Sequence, residues 1–269
     1  MQPDTALLLE LSEIEKSFPG VCAIRRGHLE LRAGEVHALV GENGAGKSTL
    51  VKILTGAHHP DKGKIRLDGH PVQIRSPHEA YRFGIAAIYQ EFSLVPTLSI
   101  RENLFLGQEH AHAGIIAAGS ERSAAIKLLE RLGLPIDPET QCRHLSVAEQ
   151  QLVEIAKALS LQARILVMDE PTAALSDREV ARLFGIVREL RDRGIGIVYV
   201  SHRLDEIFAL CDRVTVMRDG EHIATRSIRE LSREQLIEFM VGRKLEAEFP
   251  RRNLKVGEPR LVVRELRRG

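Results

Sequence analysis

Short apolar runs alternate with longer amphipathic stretches along this chain of 269 residues. The apolar runs have the length of β-strands and occupy residues 7–11, 36–40, 85–89, 165–169 and 195–200. Between them, apolar residues recur at the spacing of helices. Strands that alternate with helices favour an α/β fold with a largely parallel sheet.

Turn and capping residues mark the ends of several elements. Asp219-Gly220 separates two strand-like runs and predicts a β-hairpin, because Asp-Gly suits a type I′ turn. A helix is predicted from Lys47 to about Leu54, with Gly56 as its C-terminal cap. Four Ser-x-x-Glu/Gln sequences predict helix starts, namely Ser99 with Glu102, Ser146 with Glu149, Ser176 with Glu179, and Ser232 with Gln235.

The pattern changes between Glu91 and about Leu161. Strand-like runs stop there, and helical spacing takes over. We therefore expect a helical insertion within the α/β domain, at about residues 91–161.

Composition and charge exclude several classes of protein. Lys plus Arg (38) nearly balance Asp plus Glu (37), which argues against a nucleic-acid binder with a large basic face. The longest clean apolar runs span only a few residues, whereas a transmembrane helix needs about 20. Cys22, Cys142 and Cys211 lie far apart and lack CxxC spacing, so they predict neither a disulfide framework nor a zinc site.

The C-terminal segment differs in charge from the rest. Residues 251–269 contain seven basic and two acidic residues, and the remainder of the chain has a slight acidic excess. We expect a linker at residues 246–260. The apolar run that begins at Leu261 is similar to residues 7–11. Either this match is chance, or a second copy of the domain begins with a first strand at 261–269.

A glycine-rich sequence between a predicted strand and a predicted helix fits the pattern G-x-x-x-x-G-K-[ST]. Such glycines let backbone N–H groups converge on phosphate oxygens at a helix N-terminus. The lysine would supply charge for the β- and γ-phosphates, and the serine hydroxyl could bind Mg²⁺. The alternative is a plain glycine-rich turn with an exposed lysine. The residues are Gly41, Glu42, Asn43, Gly44, Ala45, Gly46, Lys47, Ser48 and Thr49.

Two carboxylates, Asp169 and Glu170, end the apolar run that begins at Ile165. A parallel strand here would place them at the sheet edge where ligands of α/β folds bind. Asp169 could hold Mg²⁺ through water, and Glu170 could act as general base or orient the attacking water. By itself, an acidic pair after a strand is also compatible with a solvated turn.

An amphipathic helix is predicted to follow Leu145-Ser146-Val147-Ala148-Glu149. On local grounds a capping box formed by Ser146 and Glu149 is sufficient to explain this sequence.

Taken together, these motifs resemble an ATP-binding cassette (ABC) ATPase over about residues 5–245. The resemblance rests on the phosphate-binding loop, Gln90, the 145–149 segment, Asp169-Glu170 and Ser201-His202. Within this family, the motifs most resemble those in the first cassette of tandem ATPases that drive bacterial uptake of ribose, galactose, xylose and related sugars. The resemblance implies a RecA-like P-loop NTPase core of mostly parallel sheet, an antiparallel β subdomain and the inserted α-helical subdomain.

The resemblance also implies roles for single residues. Gln90 would reach Mg²⁺ and the attacking water, and His202 would contact the γ-phosphate. Ser146 would close over the nucleotide of a partner cassette, and residues 174–177 would link the two cassettes. Phe18 would stack on adenine, although a phenylalanine here is equally compatible with the core. Lys47, Gln90, Glu170 and His202 would then be catalytic, with Ser48, Gln90 and Asp169 at the metal.

One segment departs from the family pattern. Most cassettes have Leu-Ser-Gly-Gly-Gln where this chain has Leu-Ser-Val-Ala-Glu at residues 145–149. Val147 and Ala148 allow the backbone less freedom than glycines, and Glu149 is a negative charge that would approach phosphates. Glu149 could instead face its own helix as a cap.

The implied function is an ATP- and Mg²⁺-dependent subunit of a bacterial sugar importer, located at the cytoplasmic face of the inner membrane. Its expected partners are a second cassette, integral-membrane permease subunits that contact about residues 90–106 and, indirectly, a periplasmic sugar-binding protein; no nucleic acid is expected. The alternatives are an ABC ATPase acting on nucleic acid or ribosomes, and an ATP-binding regulatory module without turnover.

Overall fold

The computed structural model describes residues 7–109, 111–112 and 115–243. The strands are β1 (Leu7–Phe18), β2 (Val21–Arg32), β3 (Val36–Val40), β4 (Lys62–Leu67), β5 (His70–Val72), β6 (Ile85–Ile88), β7 (Ala111–His112), β8 (Ile115–Ile116), β9 (Ile165–Asp169), β10 (Gly196–Val200), β11 (Arg213–Arg218) and β12 (Glu221–Ser227). The helices are α1 (Lys47–Leu54), α2 (Pro77–Arg82), α3 (Ile100–Phe105), α4 (Ala118–Arg131), α5 (Val147–Ser160), α6 (Asp177–Asp192), α7 (Leu204–Leu210) and α8 (Arg233–Val241). The predicted linker at 246–260 and the run at 261–269 lie outside the described residues.

The sheet has a parallel part and an antiparallel part. Strands β11, β3, β10, β9 and β6 are neighbours in that order, and each pair among them is parallel. Strands β2, β1, β4 and β5 form the antiparallel part. Strand β12 joins the two, since it pairs antiparallel with β11 and through Glu221 and Arg26 with β2. This is the α/β architecture that the sequence predicts.

The parallel strands are buried on both faces. In β9, Leu166 and Met168 belong to one hydrophobic cluster, whereas Ile165 and Val167 belong to the cluster on the opposite face. All four side chains are at most 1% exposed. Burial on both faces explains why these strands are unbroken apolar runs rather than alternating patterns.

The insertion between β6 and β9 is mainly helical, as predicted. Its residues Ile100, Leu129 and Ile155 belong to the same hydrophobic cluster as Leu166 of the sheet, so the insertion and the sheet share one core. The expectation that the insertion holds no strand is wrong, because β7 and β8 form a short antiparallel pair. Two residues per strand are too few to produce a recognisable β pattern in the sequence. No helix in the described part of the chain is both long and apolar enough to cross a membrane.

The predicted caps and turns are confirmed. Ser99, Ser146, Ser176 and Ser232 each precede a helix, and each donates its backbone N–H at 2.7–2.9 Å to the acidic or amide side chain three residues later. Gly56 follows α1 with a φ of 72°. Asp219 and Gly220 both have positive φ, as a type I′ turn requires.

A buried histidine ties three strands of the sheet together. His37 in β3 is fully buried, with Nδ1 3.0 Å from Glu35 Oε1 and Nε2 2.7 Å from Thr215 Oγ1 of β11. Thr215 in turn is hydrogen-bonded to Thr225 of β12. Burial lowers the pKa of His37, and the hydrogen bond that His37 makes to the Glu35 carboxylate opposes that effect only in part.

This lowered pKa predicts a loss of stability in mild acid. Below the unfolded-state pKa of about 6.5, the unfolded chain binds a proton that the buried imidazole does not take up. The free energy of unfolding should then fall by up to about 1.4 kcal/mol per pH unit until the folded-state pKa is reached. Urea unfolding at several pH values between 7.5 and 5.5 measures this dependence of the free energy of unfolding on pH. His37→Gln should make the dependence weaker.

The control is His78→Gln, which changes an exposed histidine on α2. It should leave the slope as it is in the unmodified protein. Equal slopes for the two variants would contradict the assignment of this acid sensitivity to His37.

Candidate functional site

Residues 41–46 form a tight turn between β3 and α1. The Ala45 N–H donates to the Glu42 carbonyl at 3.1 Å, and Gly46 has a φ of 98°. A Cβ on Gly46 would lie 2.7 Å from the Ala23 carbonyl oxygen of β2. Because no side chain fits there, the backbone itself forms the surface of the turn.

The first turn of α1 presents hydrogen-bond donors to this surface. Gly46 is the N-cap and provides no capping side chain, so the first N–H groups of α1 have no side-chain acceptor there. The Lys47 ammonium donates to the carbonyl oxygens of Gly41 at 2.8 Å and Glu42 at 3.0 Å, and thus folds back over the turn. Ser48 is exposed beside it. Such a cradle of donors fits an anion with several oxygens.

The strand order brings the other predicted residues to the same edge. The carboxyl ends of β3, β10, β9 and β6 are followed by the phosphate-binding loop, Ser201-His202, Glu170 and, after Tyr89, Gln90. Val200 lies opposite Asp169 in the parallel pairing. Segments that are far apart in the chain therefore meet where ligands of α/β sheets bind.

Glu170 and His202 are in direct contact. Glu170 has a φ of 49°, and its N–H donates to the Val200 carbonyl at 2.9 Å, which holds this bend against β10. Its Oε1 lies 3.0 Å from His202 Nδ1. The imidazole is 64% exposed and faces solvent at the sheet edge.

The charges of the edge act on one another. Burial raises the pKa of Asp169, and so does the neighbouring Glu170 carboxylate, whereas Lys47 lowers it. Burial lowers the pKa of Lys47, and Glu170 and Asp169 oppose this effect. Lys47 and the two carboxylates thus lie close enough for their charges to act on the pKa values of Lys47 and Asp169.

Gln90 is exposed, and the segment that follows it is attached to the insertion. Ser93 donates to Glu154 of α5 from its backbone N–H at 2.6 Å and from its hydroxyl at 3.0 Å. No sequence pattern predicts this link, because 61 residues separate the two partners and neither belongs to a local motif.

Ser146 is exposed at the start of α5. It caps α5, and Glu149 faces back to it, accepting from the Ser146 N–H at 2.7 Å. No hydrogen bond within the described residues joins Ser146 to residues 41–49. The structure therefore shows the capping box and does not bring Ser146 to the other predicted site residues.

Phe18 lies at the end of β1 and is 36% exposed. Its ring meets the edge of the His58 imidazole, with 5.1 Å between the ring centroids. The Lys16 ammonium is 5.5 Å from the centroid of the Phe18 ring. Phe18 is thus a surface residue rather than a core residue, and His58 is a neighbour that the sequence analysis did not identify.

The donor set fits Mg²⁺ that is held jointly with phosphate oxygens. Among residues 7–109, 111–112 and 115–243, no cluster of three or more His, Cys, Asp or Glu side chains could hold a metal by itself. Proteins commonly bind Mg²⁺ through one or two carboxylates, water and substrate phosphates. Ser48 and Asp169 provide an exposed hydroxyl and a half-buried carboxylate at this edge.

Residues 24–173 match the ABC transporter family. The chain belongs to this family. The matched residues, more than half of the chain, include the phosphate-binding loop and Asp169-Glu170 of this cassette.

Its relatives include two ribose import ATP-binding proteins. The cassette is 54% identical over 263 residues to RbsA 1 of Rubrobacter xylanophilus and 51% identical over 265 residues to RbsA 1 of Streptomyces coelicolor. The alignments cover 97% and 98% of this chain but 52% of each relative, so the chain spans about half their length.

Solved structures have the same fold. The ATP-binding cassette of an ABC transporter in its ADP conformation is 28% identical and superposes with a TM-score of 0.75. That comparison covers 88% of this chain and 99% of the other. A nucleotide-free cassette, also 28% identical, gives a TM-score of 0.74 over 88% of this chain and 96% of the other.

The phosphate-binding turn predicts different costs for alanine at its two central glycines. Gly44 and Gly46 both have positive φ, but only at Gly46 would the new Cβ meet backbone, at the Ala23 carbonyl. Both variants share a backbone cost of about 1–2 kcal/mol. Gly46→Ala should lose about 1–3 kcal/mol more than Gly44→Ala, because it also forces the turn off β2. The free energy of unfolding in urea measures this difference, and equal losses would contradict the close packing.

Proposed function

We propose that this cassette hydrolyses ATP to power a bacterial importer of a monosaccharide or related polyol. The observation that carries the proposal is the contact between Glu170 and His202 at the sheet edge that also holds the phosphate-binding loop. The ribose import names of relatives about 50% identical support the substrate class. The chain covers about half of the length of those relatives, so both activity and substrate are proposals.

The proposed roles follow from the positions of the side chains. The backbone of residues 41–49 binds the phosphates, and Lys47 turns from its carbonyl partners to the β- and γ-phosphates. Ser48, Gln90 and Asp169 would hold Mg²⁺, which neutralises charge on the phosphate oxygens when bound. Phe18 would stack on adenine beside His58. In this arrangement catalysis is mainly positioning and electrostatic stabilisation.

Glu170 and His202 would act at the γ-phosphate. Glu170 orients a water molecule and accepts its proton as the water oxygen bonds to phosphorus and the bond to the ADP oxygen breaks. His202 donates a hydrogen bond to the departing phosphate. The contact between the two side chains keeps both at the reacting end of the nucleotide.

A second cassette is proposed to complete the site. Ser146 is exposed at the start of α5 on the insertion, a position that suits contact with a nucleotide on another cassette. The half-length match to the relatives supports a tandem protein, in which residues 246–260 would be the linker and 261–269 the first strand of the second cassette.

The insertion is proposed to contact membrane permease subunits through about residues 90–106. Leu106, 47% exposed at the end of α3, gives this surface an apolar side chain. The protein would be peripheral, at the cytoplasmic face of the inner membrane. A periplasmic sugar-binding protein would deliver substrate to the permease without touching this cassette.

Glu170→Gln should abolish turnover and preserve binding. An amide keeps the shape of the side chain but accepts a proton poorly, so kcat should fall about 100-fold or more. The dissociation constant for MgATP should remain within about threefold, because the phosphate contacts are unchanged. Phosphate release by the full-length protein assembled with its membrane partners measures kcat, and fluorescent-nucleotide competition measures binding.

The matched control is Glu189→Gln, an exposed position on α6 that should behave like the unmodified protein. ATP binding without hydrolysis by the unmodified assembled protein would instead indicate a regulatory module.

Uptake into proteoliposomes tests the substrate class. Vesicles with the assembled transporter and ATP on the cassette side should accumulate radiolabelled ribose or another monosaccharide, and Lys47→Ala should stop uptake because the phosphates lose their cation. Ribose, galactose and xylose are then added in turn as competitors of the radiolabelled sugar, and the sugar that competes best identifies the substrate. ATPase activity that responds to RNA or ribosomes and to no sugar would contradict the proposal.

A further inference from the structure

A buried carboxylate is hydrogen-bonded to both segments that carry Glu170 and His202. Glu206 of α7 is 3% exposed, and its Oε1 accepts from Thr172 Oγ1 at 2.7 Å. Its Oε2 accepts from the Tyr199 hydroxyl at 2.8 Å and from Ser201 Oγ at 3.0 Å. The Arg203 guanidinium lies 2.8 Å from Oε1. A carboxylate is costly to bury, and here each oxygen has two partners that offset this cost.

The partners of Glu206 belong to the two segments that carry the reacting residues. Thr172 lies two residues after Glu170, in the segment that follows β9. Ser201 directly precedes His202, in the segment that follows β10. The Glu206 carboxylate thus connects the segment after β9 to the segment after β10. The pairing of β9 with β10 connects these segments only where the strands end.

Ser201 passes this connection on to the backbone at His202. Its hydroxyl donates to Glu206 and accepts from the Arg203 N–H at 3.0 Å. These two hydrogen bonds hold the backbone on both sides of His202. Within the described residues, the one hydrogen-bond partner of the exposed imidazole is Glu170. The position of the imidazole therefore depends on the backbone that Glu206 holds.

We propose that Glu206 is a positioning residue for ATP hydrolysis. It fixes the segment after β9 against the segment after β10, so that His202 faces Glu170. This inference rests on the proposed ATPase function. Glu206 lies behind the edge and acts through His202, without contact with the nucleotide.

Glu206→Gln tests the proposal with little change in shape. The amide has one acceptor oxygen for the four donors that the carboxylate serves, so the two loops lose their common anchor. Glu35→Gln is the matched control. Glu35 is 5% exposed and, like Glu206, pairs with an arginine, and it also accepts the Arg32 backbone N–H; it lies at the opposite edge of the sheet, just before β3.

The expected result is a separation of kcat from affinity. Glu206→Gln should lower kcat about tenfold or more, since small misplacements at a reacting centre cost much of the rate. The dissociation constant for MgATP should change less than about twofold, because the phosphate-binding loop is untouched. Both variants should lose stability, and Glu35→Gln should keep its kcat. Equal kcat values for the two variants overturn the proposal.

A double variant shows whether Glu206 acts through His202. If it does, Glu206→Gln should have no further effect on kcat in a His202→Ala protein. If the two effects multiply, Glu206 acts by another route and the proposal is wrong. The test remains valid if both variants are less stable. A loss of kcat that came only from lost stability would add to the loss of kcat caused by His202→Ala.

A measurement without turnover completes the test. Ring ¹⁵N chemical shifts report which imidazole nitrogen holds the proton, and His202→Ala identifies the signals of His202. In Glu206→Gln these signals should shift as the Nδ1 contact with Glu170 is lost, and unchanged signals overturn the proposal.

The two proposals fail differently. Absence of hydrolysis by the unmodified assembled protein overturns the proposed function, and with it this role of Glu206. If the unmodified protein hydrolyses ATP, Glu170→Gln does not and Glu206→Gln still does, only the inference about Glu206 is overturned.

Discussion

Parallel pairing of β3, β10, β9 and β6 is the constraint on which the site depends. Because these strands run in one direction, the segments that follow them end at one edge, whatever the length of chain between them. Asp169 and Val200 are partners in that pairing, and so Glu170 and His202, 32 residues apart, come within hydrogen-bond distance.

The electrostatics of the edge depend on the same arrangement. The phosphate-binding turn gathers donors, and the neighbouring strand contributes Asp169 and Glu170. Carbonyl oxygens of Gly41 and Glu42 accept hydrogen bonds from the Lys47 ammonium. The two carboxylates favour the charged form of Lys47 against its burial. Lys47 therefore lies beside two carboxylates at this edge, close to the donors of the turn.

The sequence predicts those parts of the fold that are encoded locally. Runs buried on both faces, Ser-x-x-Glu/Gln caps, Asp219-Gly220 and the phosphate-binding turn all have signals within a few residues. The antiparallel part was expected only from family resemblance, since charged residues interrupt β2 and its pairing with β1 depends on packing. Nor does the local sequence show that Glu206 is buried while Asp205 beside it is exposed. That difference comes from Tyr199 and Thr172, which reach Glu206 only in the folded chain.

The helical insertion leaves the sheet after β6 and returns at β9, and these two strands are neighbours. The hydrogen bonds between Ser93 and Glu154 draw its two ends together. In topological terms the insertion is one long connection between adjacent strands. Its length and shape can therefore diverge between proteins without altering the order of any strand. The surface that the insertion offers to a partner can therefore evolve independently of the strand order of the sheet.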